Sequence, residues 1–342
     1  MKRIICNALV AATAAFYLGS IAQASQPVTI AISPVGDPGN AADPTQQGDG
    51  TSGYGIVGYT FNIGTYDVTL TQYTAFLNAV AATDTYGLYN VALSLVSSVK
   101  GISRSGASGS YSYSVIGDGQ RPVTYVRWFD AARFTNWLQN GQPTGVEGAG
   151  TTETGAYTLN GDTTNGMTET RNAGAQWWLP NEEEQYKAAY YDPSLNGGLG
   201  GYWAYATRSN SAPGNSWANR TLTNEANYYS AGYTLSGGTG GYLTPVGAFT
   251  NSASAYGTYD QDGNVAQWND SIVYSGRGCR GGSYYTDATA LASSGRNYND
   301  PTFEGAQIGF RVATSIPEPS SIMLVGLGGT GLALLRRKRL KG

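Results

Sequence analysis

Apolar positions recur at helical spacing in three stretches of the chain, and each stretch carries its own start signal. Over residues 69–82 the side chains of Tyr73, Phe76, Leu77 and Val80 fall on one face, which predicts a helix capped by Thr69 or Thr71. A second helix is predicted from about Phe129 to Leu138, burying Ala131, Phe134, Trp137 and Leu138. A third opens at Asn181, with Glu184 placed to complete a capping box and Glu182, Glu183 and Glu184 suited to the positive helix start. Helix initiation is the favoured reading of these three glutamates, ahead of general acid catalysis. Elsewhere the pattern shortens. A strand is predicted at residues 28–32, and the alternation over residues 59–68 reads as a half-buried strand pair. Residues 101–119 read as a loop with a hairpin at 111–115, and residues 141–174 as a Thr/Gly/Asn-rich insert ahead of Trp177-Trp178-Leu179-Pro180. After Asp192-Pro193 only loops and short strands are expected. The sum is an α+β chain of short helices, antiparallel strands and much irregular loop.

Both termini depart from this pattern. Residues 1–24 have the three parts of a secretory signal: Lys2 and Arg3, a mostly apolar run over 4–21, and Ala22-Gln23-Ala24 before Ser25. Cleavage removes Cys6 and leaves Cys279 alone, so export brings no internal disulfide. Residues 25–54, rich in Pro, Gly, Asp and Gln, are expected to be an N-terminal strand and linker, followed by a body at 55–314 and a tail at 315–342. In the tail, Pro317-Glu318-Pro319 precedes an apolar run at 322–335 and the cluster Arg336-Arg337-Lys338-Arg339. The run is short against the ~20 residues of a spanning helix. The basic cluster is a positive-inside stop, leaving the body outside. This order resembles the PEP-CTERM sorting tail. The resemblance implies an exosortase partner, transient anchoring in the inner membrane and cutting near the tripeptide. The destination it implies is the envelope, cell surface or extracellular matrix of an exopolysaccharide-producing Gram-negative bacterium.

Composition then removes whole classes of chemistry. The chain of 342 residues has no histidine, which excludes Ser-His-Asp and Cys-His nucleophiles, HExxH zinc sites and histidine-ligated iron or copper. The net charge is −3 and Lys and Arg form no stripe in the body, so nucleic acid is not an expected partner. The 48 glycines and 26 tyrosines point to irregular loops with aromatic contact surfaces. Most of Trp177, Trp178, Trp203, Tyr205, Trp217, Tyr228, Tyr229, Tyr284, Tyr285 and Tyr298 are expected to fill the interior, with a few free to stack on glycan or peptide.

The motifs of the body fall in a recognisable order. The segment at 260–268 surrounds a tight Asp262-Gly263 bend with acid, amide and carbonyl oxygens of the kind calcium accepts. It lies between Thr244-Pro245-Val246-Gly247 and Arg280-Gly281-Gly282-Ser283, with Ile308-Gly309-Phe310-Arg311-Val312 at the end. Upstream stand Ile63-Gly64-Thr65-Tyr66-Asp67-Val68-Thr69, then Pro122-Val123 with Trp128 and Asp130-Ala131, then Leu179-Pro180 with Glu182 and Glu184. In this order the segments, covering about 55–313, resemble the formylglycine-generating enzyme, or sulfatase-modifying factor, domain. The resemblance implies an elaborated C-type-lectin-like fold. It implies one calcium site on Asp260, the carbonyls of Gly263 and Val265, and Gln267, where Gln267 replaces the family's glutamate and offers one neutral oxygen. A second would begin at Asn227 and the Tyr228 carbonyl but lacks its downstream aspartate; a metal-free turn is the equal alternative. In the oxidase branch two cysteines hold copper(I); their positions here are Thr286 and Leu291, so copper is not expected. Cys279, one residue before Arg280 and on the opposite face of a strand, reads as a buried structural thiol. The candidate ligand cleft is Arg280, Ser283, Tyr284, Thr286 and Arg296. An exported, non-catalytic binding domain is the preferred function. The alternatives are a formylglycine-generating-type oxidase of protein cysteine and a purely structural exopolysaccharide-matrix protein.

Overall fold

A computed structural model of the chain describes residues 27–236 and 241–316. The signal segment at 1–24 and the sorting residues from Pro317 to Arg339 lie outside the described residues. Strand β1 (Ile32–Val35) pairs antiparallel with β2 (Phe61–Gly64), which is buried at every position. The strand expected at 28–32 is therefore shifted towards the C-terminus, and the expected strand pair within 59–68 is one strand whose partners come from elsewhere. Alternation in the sequence did not report exposure here, because β2 is covered on both faces. Helix α1 (Leu70–Val80) follows, with Thr69 and Gln72 closing a capping box. After the short α2 (Ala92–Leu95), a wider hairpin than expected joins β3 (Ile102–Ser105) to β4 (Ser112–Val115).

Helix α3 (Trp128–Gln139) is buried on nearly all sides, not only on its apolar face. The insert at 141–174 covers the remainder. Arg133 donates to Glu153 at 2.7 and 2.9 Å, and Asn136 donates to the carbonyls of Thr152 and Tyr157. Strand β5 (Trp177–Trp178) leads to α4 (Glu182–Tyr190), whose cap is the expected Asn181–Glu184 box. Next come β6 (Tyr191–Asp192), a helical turn α5 (Leu195–Gly198) and β7 (Gly201–Tyr202). The long β8 (Ala266–Val273) and β9 (Gly276–Arg280) form a hairpin, and α6 (Ala288–Leu291) separates β9 from β10 (Asn297–Asn299). Finally β11 (Ile308–Phe310) and β12 (Ala313–Ser315) close the chain.

Two four-stranded sheets organise the molecule, in the orders β1-β2-β12-β5 and β10-β9-β8-β11. All their pairings are antiparallel except β11 on β8. Between the sheets and helices α1 and α3 lies one aromatic core: Tyr73, Phe76, Phe134, Trp137 and Phe310, with neighbouring ring centroids 5.3–6.4 Å apart. Such close-packed rings supply the burial that the short elements cannot supply by length.

The stretch expected to be a linker is part of this fold. Beyond β1, Asp43 bridges to Tyr54 and accepts a hydrogen bond from the Tyr186 hydroxyl at 2.8 Å, so residues 43–54 strap across α4. No helix among the described residues is long and apolar enough to cross a membrane.

Candidate functional site

The second sheet ends at Arg280, and there the chain turns sharply. Gly281 and Gly282 have φ of 92° and 62°, a region that side-chain-bearing residues avoid, and a Cβ on Gly282 would stand 2.6 Å from Leu291. The double-glycine turn therefore lets residues 283–286 close against α6. Within it the Ser283 N–H donates to the Thr286 hydroxyl at 2.8 Å, and that hydroxyl donates back to the Ser283 carbonyl at 3.2 Å.

A cavity of about 490 Å³ opens beside this turn, lined by Arg280, Ser283, Tyr285, Thr286, Arg296 and Gln307 among others. Among the described residues, no Asp or Glu belongs to its lining. Four of the five cleft residues expected from sequence thus meet there. Tyr284 does not: it is buried, its N–H donating to the Asn264 carbonyl, and its neighbour Tyr285 takes the rim.

Both arginines are held from behind by residues that sequence reasoning left outside the site. Arg280, buried, pairs with Glu182 through its Nε and donates to the Ser293 and Gly295 carbonyls and to Gln47 at 2.9 Å. Arg296 donates to Asp49 at 2.7 Å and lies 3.4 Å from the same Glu182 oxygen. Tyr54 lies under both guanidinium groups, 5.4 and 5.1 Å from its ring centroid. The sequence signal for this cluster was a charged residue ending a buried strand, which demands a carboxylate nearby. Glu184 alone serves the helix cap as expected; Glu183 accepts from the N–H groups of Gly55 and Ile56. The arginines' charge is neutralised internally, so the cavity presents hydroxyls, amides and the rings of Tyr285 and Phe303.

The architecture and the match of sequence to family agree. A family model described as the sulfatase-modifying factor enzyme 1-like domain matches residues 41–316. The chain belongs to this family. A second model, the PEP-CTERM protein-sorting motif, matches residues 315–339, so the protein is exported and sorted to the cell envelope or surface, with recognition by an exosortase. Among solved structures, the chain is similar to CarF at 22% identity and a TM-score of 0.51, over 84% of this chain and 99% of that one. It is also similar to Treponema denticola variable protein 1 at 20% identity, covering 83% and 95% with a TM-score of 0.46. PvdO from Pseudomonas aeruginosa matches at 19%, covering 84% and 92% with a TM-score of 0.47. No curated protein matches. The α+β, formylglycine-generating-enzyme-type fold expected from the sequence is thus the fold observed.

Against the oxidase branch of the sulfatase-modifying factor enzyme 1-like family, the donor set can be tested atom by atom. Thr286 offers a hydroxyl already committed to Ser283, and Leu291 is fully buried against Ala226 and Tyr228. Cys279 does line the cavity floor, but burial pushes its thiol up to about 12, and Asn299 donates to its sulfur at 3.2 Å. One protonated thiol does not fit copper(I), which wants thiolate pairs.

The side chains of the first calcium position are also engaged. Gln267 donates to the Asp260 carbonyl at 2.7 Å while its oxygen accepts from Arg311 at 2.8 Å, so amide and guanidinium fill the space between Asp260 and residue 267. Asp260 accepts from the Gly247 N–H at 2.6 Å, and burial raises its carboxyl to about 6. Gly263 and Val265 sit in this turn, with the Gly263 N–H donating to the Gly281 carbonyl. At the second position the Asn227 amide nitrogen donates to the Tyr242 carbonyl and to Asn264 while its Oδ1 is buried without a hydrogen-bond partner, and the Tyr228 carbonyl accepts from Asn215 at 3.2 Å. A calcium ion would have to displace a buried arginine at the first position and lacks a carboxylate at the second, so neither set fits it well.

Proposed function

We propose that this sulfatase-modifying factor enzyme 1-like domain binds a ligand in the cavity beside Ser283 and Thr286 and does not oxidise it. The observation that carries this reading is the lining itself: hydroxyls, amides and internally paired arginines, without a carboxylate or a reactive thiolate. Oxidation needs a redox centre, and acid–base hydrolysis needs a free carboxyl or imidazole in reach of the substrate. Binding needs only concavity and a few well-placed polar groups, which are present. The protein so described works outside a Gram-negative inner membrane, held there by its tail until an exosortase acts.

Two experiments test this reading. Titrated with copper(I) under a competing chelator, the mature protein is expected to retain none, and incubation with a cysteine-containing peptide is expected to yield no formylglycine. Stoichiometric copper or any aldehyde product would return the domain to the oxidase class. Deleting residues 315–342 is expected to release the protein from its envelope location and abolish the mass shift of processing; unchanged location and mass would refute the sorting role.

A further inference from the structure

We propose that the cavity continues onto a tyrosine platform and that the two together hold a neutral polysaccharide. The inference rests on the binding reading above and names its ligand class. Tyr285 is the joint: it lines the cavity, and at 63% exposure it is among the most open large side chains of the described residues. Its ring lies stacked with Tyr233 at 6.4 Å, and Tyr233 meets Tyr229 edge-on at 5.0 Å. Tyr229 and Tyr233 are 41% and 36% exposed.

Underneath, this trio is anchored. Tyr233 packs on Tyr242 at 4.2 Å, and Tyr242 stacks nearly parallel on buried Tyr284 at 5.7 Å. The backbone is fixed too, since the Tyr229 N–H donates to the Thr286 carbonyl at 2.9 Å, tying the platform to the cavity turn. Three open rings held in place by half-buried Tyr242 and buried Tyr284 lose little freedom when a ligand covers them, which favours binding.

Charge decides the ligand class. Among the described residues the cavity lining has no carboxylate, and its two guanidinium groups are already paired with Glu182 and Asp49. Asp287 beside the rim is turned to α6, accepting from Thr289 at 2.5 and 3.0 Å. An anionic polymer meets no free cation here, and a peptide's charged groups meet no partner. A neutral glycan has what the surface asks for. Its hydroxyls match the Ser, Thr, Asn and Gln groups of the cavity, and the C–H face of its rings covers open tyrosines. The platform extends the cavity laterally, so the ligand is a chain of sugars and not a single one.

The test is affinity electrophoresis of the full mature chain, in mild detergent, through gels containing dextran, laminarin or galactomannan, with alginate as the anionic control. At least one neutral polysaccharide is expected to retard the protein, and alginate is not. Tyr285→Ala and Tyr233→Ala are each expected to weaken the retardation about tenfold, while Tyr285→Phe, which keeps the ring, preserves it; circular dichroism confirms that each variant is folded. Retardation that survives both alanine changes, or that alginate alone produces, overturns the platform. If no neutral polysaccharide retards the protein but a peptide library binds it in a manner sensitive to Thr286→Val, the glycan inference fails while the binding function stands. If neither binds, both fall.

Discussion

Arg311→Met is expected to destabilise the protein by about 3–5 kcal/mol, the scale of breaking a buried ion pair from one side. Arg311 is fully buried and every one of its nitrogens is engaged. Its Nε donates to Gln267 at 2.8 Å, Nη1 to the Gly64 carbonyl at 2.8 Å, and Nη2 to Asp67 at 3.1 Å and the Tyr259 carbonyl at 2.8 Å. These partners lie on β8, at the end of β2, in the loop between β2 and α1 and in the loop before β8, so one guanidinium joins both sheets. Methionine fills some of the volume but leaves the Asp67 carboxylate buried without a counter-charge. Burial already raises the Asp67 carboxyl well above its ordinary value, with Arg311 opposing that rise. Urea unfolding should show a large fall in midpoint at pH 7, and the double change Asp67→Leu with Arg311→Met should recover part of it. A fall of under 1 kcal/mol would mean that the sheets do not depend on this arginine.

Stability is expected to decline by several kcal/mol between pH 5 and pH 8, in a protein without one histidine. Burial raises Glu147 to about 7, Asp270 to about 7 and Asp260 to about 6. A carboxyl whose folded value lies above its unfolded one holds its proton more tightly when folded. Its contribution is complete below the unfolded value near 4 and is lost as pH rises through the folded value. For these three groups the loss runs from about pH 4 to pH 7, and a carboxyl forfeits ~1.4 kcal/mol over every pH step in which it is protonated folded but ionised unfolded. Asp84, Glu183 and Glu304 are raised by burial and act in the same direction. Carboxyls held below their ordinary value, such as Asp162 at about 2, change stability only below pH 5, and Lys187, lowered by burial to about 8, acts above the window. Urea midpoints at pH 5, 6, 7 and 8 check the slope; a level or rising series would contradict it.

The three long helices were legible because each signals locally: a face of apolar residues and a capping side chain within one turn. So was the double-glycine segment, whose neighbours Ser283, Thr286 and Arg296 do line the cavity. What local pattern could not give was the environment at long sequence separation. Gln47 and Asp49 reach Arg280 and Arg296 across more than two hundred residues, from a stretch whose Pro and Gly content mimics a linker. Helix α3 looked one-sided because nothing in its own sequence announces that the following insert will cover its polar face with Glu153 and Tyr157. Tyr284 and Tyr285 are identical in type and adjacent, and only the fold makes one an anchor and the other a surface.

Strand β12 ends at Ser315, with β2 on one flank and β5 on the other. Six residues, 316–321, stand between it and the apolar run at 322–335, a reach of at most roughly 25 Å for seven extended steps. Were the tail to anchor the protein, the body would sit within that distance of the membrane. Any pull on such a tether would load β12, which lies between β2 and β5, along its length. Severing the leash near the tripeptide would let the domain diffuse and reorient for the first time.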